Sequence, residues 1–277
     1  MSDLAPTVTL SHGAAMPRLG LGTSPMNDDD AERAVVQALE VGYRLVDTAE
    51  AYRNEVGVGR ALKASGVPRE ELFVTTKFNK RWHSVEGAKT AYEASASKLG
   101  LDYIDLLLIH WPNPAQDRYV EAWKGLIALL DGGQVRAIGT SNFKPTHLQR
   151  LIDETGVTPD VNQIQLSPLW TKQEACDFHA EHGIVTEAWS PIGRGGDLLK
   201  HPAVVKAAEA HSKTPAQVVL RWHVQQGIVP IPKSANPERL RQNLEVFDFA
   251  LTDEELASLS SLNGSGSAPA DSDTTGH

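Results

Sequence analysis

The segment YIDLLLIHWP at Tyr103–Pro112, followed by YVEAWKGLIALL at Tyr119–Leu130 and VRAIGTSNF at Val135–Phe143, decides the fold of this chain. Tyr103–Ile109 and Val135–Gly139 are short aliphatic and β-branched runs, the pattern of strands covered on both faces. Tyr119–Leu130 instead spaces its large apolar residues by three and four, as a helix with one buried stripe does. Strand, helix and strand in that order form a crossover unit of a parallel sheet. The alternation extends in both directions. Further strands are predicted at Leu19–Gly22, Tyr43–Val46, Leu72–Thr76, Val161–Gln165, Ile184–Ala188 and Ile228–Ile231. Helices are predicted at Asp29–Val41, Ser84–Leu99, Pro145–Ile152, Thr171–Glu181 and Thr214–Gln226. Gly42, Gly100, Gly132 and Gly183 stand where four of the helices must stop.

Eight strands in this pattern predict an α/β fold closed as a (β/α)8 TIM barrel. An open doubly wound sheet would carry a Gly-rich phosphate turn after its first strand. Here Gly20-Leu21-Gly22-Thr23 has no third glycine in register, and no helix opens directly behind it. Thr7–Arg18 reads as a β-hairpin turning near His12–Gly13, placed to cap the lower end of the barrel. Two extra helices, Pro237–Val246 and Asp253–Leu262, follow the last strand. The reading is one barrel domain over residues 1–262. Residues 263–277, rich in Gly, Ser, Asp and Thr, are expected to be a disordered tail.

A chain of 277 residues can bury a full core without disulfides, and its single cysteine, Cys176, has no internal partner to pair with. A reducing cytoplasm fits that usage. The start of the chain, MSDLAPTVTL, has no basic stretch leading into an apolar run, and no segment is apolar enough to cross a membrane, so neither export nor a membrane partner is expected. A net charge of -9 repels phosphate backbones, which argues against nucleic acid while leaving room for a local basic pocket.

In such barrels chemistry collects where the strands end. Asp47 closes the second strand, Lys77 the third and His110 the fourth; Ser141-Asn142 close the fifth, Gln163 and Gln165 belong to the sixth, and Trp189-Ser190 and Lys233-Ser234 follow the last two. Any one of these residues alone is more often a cap or an ion-pair partner than a functional group. Their joint occurrence on one face is what points to a site. A phenol with an ordinary pKa of about 10 is a poor acid, so Tyr52 needs a neighbouring cation, which Lys77 can supply. Asp47 beside a buried Lys77 would keep it charged. A neutral His110 would donate a hydrogen bond to a carbonyl oxygen gaining negative charge.

Asp47-Thr48-Ala49-Glu50-Ala51-Tyr52 with Asn54-Glu55, Val74-Thr75-Thr76-Lys77, Leu107-Leu108-Ile109-His110-Trp111-Pro112 and Gly139-Thr140-Ser141-Asn142-Phe143 together resemble the motifs of the aldo-keto reductase family, in family order. The likeness runs from Thr7 to about Leu262 and is nearest to bacterial members similar to 2,5-diketogluconate reductases. It implies transfer of a hydride from NADPH to an aldehyde or ketone, with Tyr52 as general acid, Asp47, Lys77 and His110 as its partners, no metal, and a monomer. It further implies that Gly22 and Thr23 lie beside the cofactor and that Ser141, Asn142 and Gln163 bind the nicotinamide carboxamide. Trp189 would stack on the ring, and Ser190, Pro191, Ile192 and Arg194 would cover the pyrophosphate. Lys233, Ser234 and Arg239 can surround a 2′-phosphate, and Gln242 and Asn243, three and four residues beyond Arg239 on one helical face, can meet adenine.

The likeness has departures. Ser24 stands where family members commonly have an aromatic residue, leaving Trp82 and Trp111 as candidate pocket walls. Small aldehydes, dicarbonyls and keto sugars all suit this pocket. Two other classes compete. A metal-dependent barrel hydrolase needs several histidines at strand ends, and only His110 holds such a position. A sensor that binds NADPH and docks on another protein with little turnover could keep the same residues, and a turnover assay separates it from an enzyme.

Overall fold

The computed structural model describes residues 4–277, and in it the chain opens with an antiparallel hairpin of β1 (Thr7–Thr9) and β2 (Ala15–Pro17). Eight parallel strands follow in sequence order: β3 (Gly20–Gly22), β4 (Leu45–Asp47), β5 (Phe73–Phe78), β6 (Ile104–Ile109), β7 (Val135–Ser141), β8 (Val161–Gln165), β9 (Val185–Trp189) and β10 (Val229–Pro230). Each pairs with the next, and the Gly22 N–H donates to Pro232 O at 3.1 Å, where the first strand meets the last. A β-carbon on Gly22 would lie 2.9 Å from Ile231 O, so that approach requires glycine. This is the TIM barrel that the alternation predicts.

Inside the barrel, Leu45, Phe73, Leu106, Leu108, Ala137, Val161, Val229 and Ile231 pack with Leu10 and Met16 of the hairpin, which closes the lower end. The hairpin is held there by Asp160, fully buried, which accepts from the His12 amide at 2.9 Å and from Ile138 N at 3.0 Å and meets His12 Nδ1 at 2.8 Å. The outer faces of the strands pack against α1 (Asp28–Val41), α2 (Glu55–Ala64), α3 (Val85–Leu99), α4 (Tyr119–Asp131), α5 (Pro145–Thr155), α6 (Gln173–Glu181), α7 (Pro202–His211) and α8 (Pro215–Gln225). The extra helices are α9 (Pro237–Leu244) and α10 (Asp253–Ser260), each ending two residues before the predicted limit.

Several elements differ from the sequence reading. The helix α2 was not predicted, because Gly57 and Gly59 weaken a helical pattern. Both glycines answer to packing: β-carbons there would sit 2.0 Å from Asp28 O and 2.5 Å from Leu99 O. Nor was α7 predicted, since its alanine-rich stretch Pro202–His211 has few large apolar residues to set a period. The strands β4, β5, β7 and β9 run further than expected, so Asp47, Lys77, Ser141 and Trp189 lie within strands rather than behind them.

The largest difference is the tail. Residues 263–277, expected to be disordered from composition, lie across the upper end of the barrel. The Gly264 amide donates to Leu169 O at 2.8 Å, the Trp170 indole donates to Ser267 O at 2.7 Å, and Lys144 pairs with Asp271 at 2.7 Å and also with Asp273. The acidic residues that make the segment look unstructured are the ones that find cations on the barrel.

Candidate active site

The barrel's upper mouth is built on the alternation of its strands. On β5, Phe73, Thr75 and Lys77 share the inward face, and in the ladder Thr75 faces Asp47 of β4. Lys77 therefore rises one pleat above Asp47. After β4 the chain makes a short 3₁₀ turn, Glu50–Tyr52, ended by Arg53 in the left-handed region at φ 56°. Asn54, fully buried, pins that loop by donating to Thr23 O and Met26 O, both at 3.1 Å, and accepting from the Thr48 hydroxyl at 2.7 Å. Thr23 thus serves the loop; its hydroxyl donates to Asp47 O at 3.0 Å and it does not line the cavity above.

The Lys77 ammonium donates to Asp47 Oδ1 at 2.7 Å, to Thr48 O at 2.9 Å and to Tyr52 Oη at 3.4 Å. Three acceptors use the three protons of an ammonium, one more than a neutral amine holds. Burial alone would strip Lys77 of its proton, but Asp47, Tyr52 and Glu187 outweigh burial and hold the group above its ordinary value. Asp47 is pushed above the usual carboxylate value by burial, against the pull of Lys77 and the hydrogen bond from Gln163. The two directions assign one proton to different owners, and the donor count favours the ionised pair.

Tyr52 accepts from Lys77, so its own O–H proton is left to point elsewhere. Burial raises this phenol above 10 and outweighs the lowering by Lys77. Lys77 acts on the phenol in the direction the sequence reading gives it, lowering it, but burial raises it by more. His110 meets Tyr52 edge to face with ring centroids 5.8 Å apart. Burial, then Lys77, hold its imidazole well below 6.5, so it is neutral at physiological pH. Asp47, Tyr52, Lys77 and His110 are thus brought together.

Across the mouth, Asn142 adopts φ 64° and commits both ends of its amide. Its Nδ2 donates to His110 O and Ser141 Oγ, both at 3.1 Å, while its Oδ1 accepts from the Trp189 indole at 2.9 Å. Ser141 Oγ donates to Gln163 O at 3.0 Å. Gln163 Nε2 donates to Asp47 Oδ2 at 2.8 Å and to Glu187 Oε2 at 2.6 Å, which ties the two sides of the mouth together.

These groups floor a cavity of about 690 Å³ that runs from Tyr52, His110 and Trp111 past Ser24, Gly22 and Trp189 to Lys233 and Arg239. Ser190, Pro191, Ile192 and Arg194 form its wall on the β9 side. Lys233, Arg194 and Arg239 have no ion-pair partner among the described residues, although the chain carries nine excess negative charges. Ser234, Gln242, Asn243 and Trp82 are not among the residues that line the cavity. Ser234 is buried and accepts from Asn236 N at 3.2 Å, bracing the turn before α9. Asn243 is buried beside the Tyr43 hydroxyl, and Gln242 donates to Glu238 at 3.0 Å. Trp82 lies outside the lining, its indole donating to Glu50 at 3.0 Å under the Arg81 guanidinium.

The model of the aldo/keto reductase family matches residues 13–264. This chain belongs to the aldo/keto reductase family. It is 50% identical over 262 residues to an aldo-keto reductase of Mycolicibacterium smegmatis, covering 94% of each chain. To the methylglyoxal reductase DkgA of Yersinia pestis it is 49% identical over 262 residues, again 94% of each chain. Among solved structures it is similar to Gox0644 in its apo form, with a TM-score of 0.94, 42% identity and coverage of 99% of this chain and 100% of the other. A variant of Gox0644 was solved in complex with NADPH, at the same TM-score and identity.

Two residues at the mouth of this aldo/keto reductase were not foreseen. Glu187 falls inside the strand Ile184–Ala188 rather than at its end, where the sequence reading looks for functional groups. The signal was parity: Glu187 lies two residues before Trp189 and so shares its inward face. His277, from the tail, stands edge to face with His110 at 4.5 Å and lines the cavity. No local pattern could have placed it there.

Proposed function

We propose that this aldo/keto reductase uses NADPH to reduce small aldehydes, dicarbonyls and keto sugars to alcohols, with Tyr52 as the general acid. The observation that carries the reading is the buried Lys77 ammonium shared between Asp47 and the Tyr52 hydroxyl at the floor of the cavity. The three unpaired cations along the wall support a ligand with several phosphate charges, and Lys233 and Arg239 are the residues assigned to a 2′-phosphate. Trp189, held by Asn142, would offer a flat face to the nicotinamide, and Ser141, Asn142 and Gln163, which line the same cavity, would bind its carboxamide. When bound, NADPH supplies a hydride to the carbonyl carbon.

The protein's own part is to manage charge on the carbonyl oxygen. As negative charge grows there, neutral His110 can donate to it, and the Tyr52 proton, not engaged by Lys77, is free to follow. An alkoxide is a far stronger base than a phenolate, so the transfer is downhill even from a phenol raised by burial. The phenolate left behind faces the Lys77 ammonium, which Asp47 keeps in place. The product is the alcohol, and solvent returns the proton to Tyr52.

No helix among the described residues is long and apolar enough to cross a membrane. The same reading makes the protein a cytoplasmic monomer whose residues 1–262 act as one unit. Relatives named methylglyoxal reductase favour a dicarbonyl as the first substrate to try. The test is loss of NADPH absorbance with methylglyoxal, simple aldehydes and keto sugars, set beside NADH. Turnover with NADPH is expected; tight NADPH binding with no turnover on any of these substrates would favour a sensor.

A further inference from the structure

Glu187 is a fully buried carboxyl beneath the mouth of a barrel whose interior is otherwise mostly aliphatic. Burying such a group is costly unless it is satisfied, and here Glu187 Oε1 has no hydrogen-bond partner among the described residues. A valine or leucine at this position would pack without that cost. The groups around it are Asp47 on β4, Lys77 on β5, Tyr52 above them and Gln163, its direct ladder partner on β8. Its one side-chain hydrogen bond among the described residues is the one it accepts from Gln163 Nε2 at 2.6 Å.

A primary amide has two N–H donors on one side and a carbonyl oxygen on the other. In Gln163 both donors are consumed, by Asp47 Oδ2 at 2.8 Å and by Glu187 Oε2. The opposite orientation would press the amide oxygen against the Asp47 carboxylate. Gln163 lines the cavity, and its Oε1 accepts no hydrogen bond from the described residues. We propose that Glu187 is a positioning residue of the cofactor site: with Asp47 it takes both amide protons of Gln163 and so presents Gln163 Oε1 to the nicotinamide as an acceptor of fixed direction. This rests on the reading that Gln163 meets the carboxamide. That group's own N–H donors require an acceptor opposite them, and an amide free to turn over would offer donors to donors.

Burial, with the Asp47 charge, pushes the Glu187 carboxyl up to about 8, so near neutral pH it is uncharged and still offers a carbonyl oxygen to Gln163. It thereby orients the amide without placing a second full negative charge beside Asp47. This explains why a carboxyl can do here what a charged group would do only at the expense of the Lys77–Asp47 pair.

The test compares NADPH with adenosine 2′,5′-bisphosphate, which has the phosphate end and no nicotinamide, by quenching of tryptophan fluorescence. Glu187→Leu keeps the volume and removes the acceptor; it is expected to weaken NADPH about 5- to 10-fold, the worth of one hydrogen bond, and to leave the bisphosphate within about twofold. Glu187→Gln restores an acceptor and should restore NADPH affinity. In a Gln163→Leu background, Glu187→Leu should cost nothing further, because the effect passes through Gln163. Equal loss of both ligands, no loss of either, or additive losses in the double variant would overturn the assignment. If the wild type binds the bisphosphate but gains nothing from the nicotinamide half of NADPH, the proposed function fails first and this inference with it.

Discussion

Glu187→Gln is expected to change how stability depends on pH, in a direction that follows from the barrel interior. An unfolded chain releases the Glu187 proton near 4.5, whereas the folded barrel keeps it up to about 8. Between those values the unfolded state binds fewer protons than the folded one, so each rise in pH favours unfolding. Each pH unit costs about 1.4 kcal/mol per proton, so between about pH 5 and about pH 8 this one fully buried group removes about 4 kcal/mol from the wild type, and no more above that. Glutamine has no proton to lose. Urea unfolding of both proteins at about pH 5 and about pH 9 reads the effect as the difference between them, in which groups common to both cancel. The variant should gain on the wild type from the acid to the alkaline condition, by a few kcal/mol (on the order of 4 if the charge on Asp47 is the same in both). A difference that stays constant within about 0.5 kcal/mol would mean that Glu187 ionises as an ordinary carboxyl and that burial has not shifted it.

Lys77→Met leaves Asp47 buried beside Glu187 with no cation; unfolding should become easier by about 3–5 kcal/mol, and adding Asp47→Asn should recover part of that, both read from urea curves. Failure of the second substitution to recover any stability would contradict the buried pair. Lys233→Ala or Arg239→Ala should raise the Kd for NADPH about tenfold or more while changing that for NADH less than about threefold, if these cations meet the 2′-phosphate as proposed. Equal losses for the two cofactors would remove that assignment.

Much of the barrel was legible because its strands are aliphatic runs bounded by Gly and polar residues, a signal that needs no neighbours. The helices α2 and α7 were not, since their glycines and alanines answer to backbones that approach from elsewhere. The same division runs through the site. Asp47, Lys77 and His110 stand out as polar residues closing apolar strands, and Tyr52 follows Asp47 at short range. Glu187 hides within a strand, where only its parity with Trp189 points inward. Ser234 and Asn243 carry phosphate- and adenine-binding chemistry in sequence, while the contacts they make in the fold, with the Asn236 amide and with Tyr43, join distant or turn residues that no local pattern shows. Trp82 has the bulk of a pocket wall, but Glu50 and Arg81 hold it at the rim. The tail's resting place depends on Lys144, His147 and His110, which no reading of its own composition includes.

Turnover by Tyr52→Phe, measured beside NADPH affinity, addresses the central claim most directly. The substitution deletes one hydroxyl and little else, so kcat for carbonyl reduction should fall by about 10²–10⁴-fold while the Kd for NADPH stays within about twofold. A variant that keeps kcat within about threefold of the wild type would show that the proton reaches the carbonyl oxygen from another group.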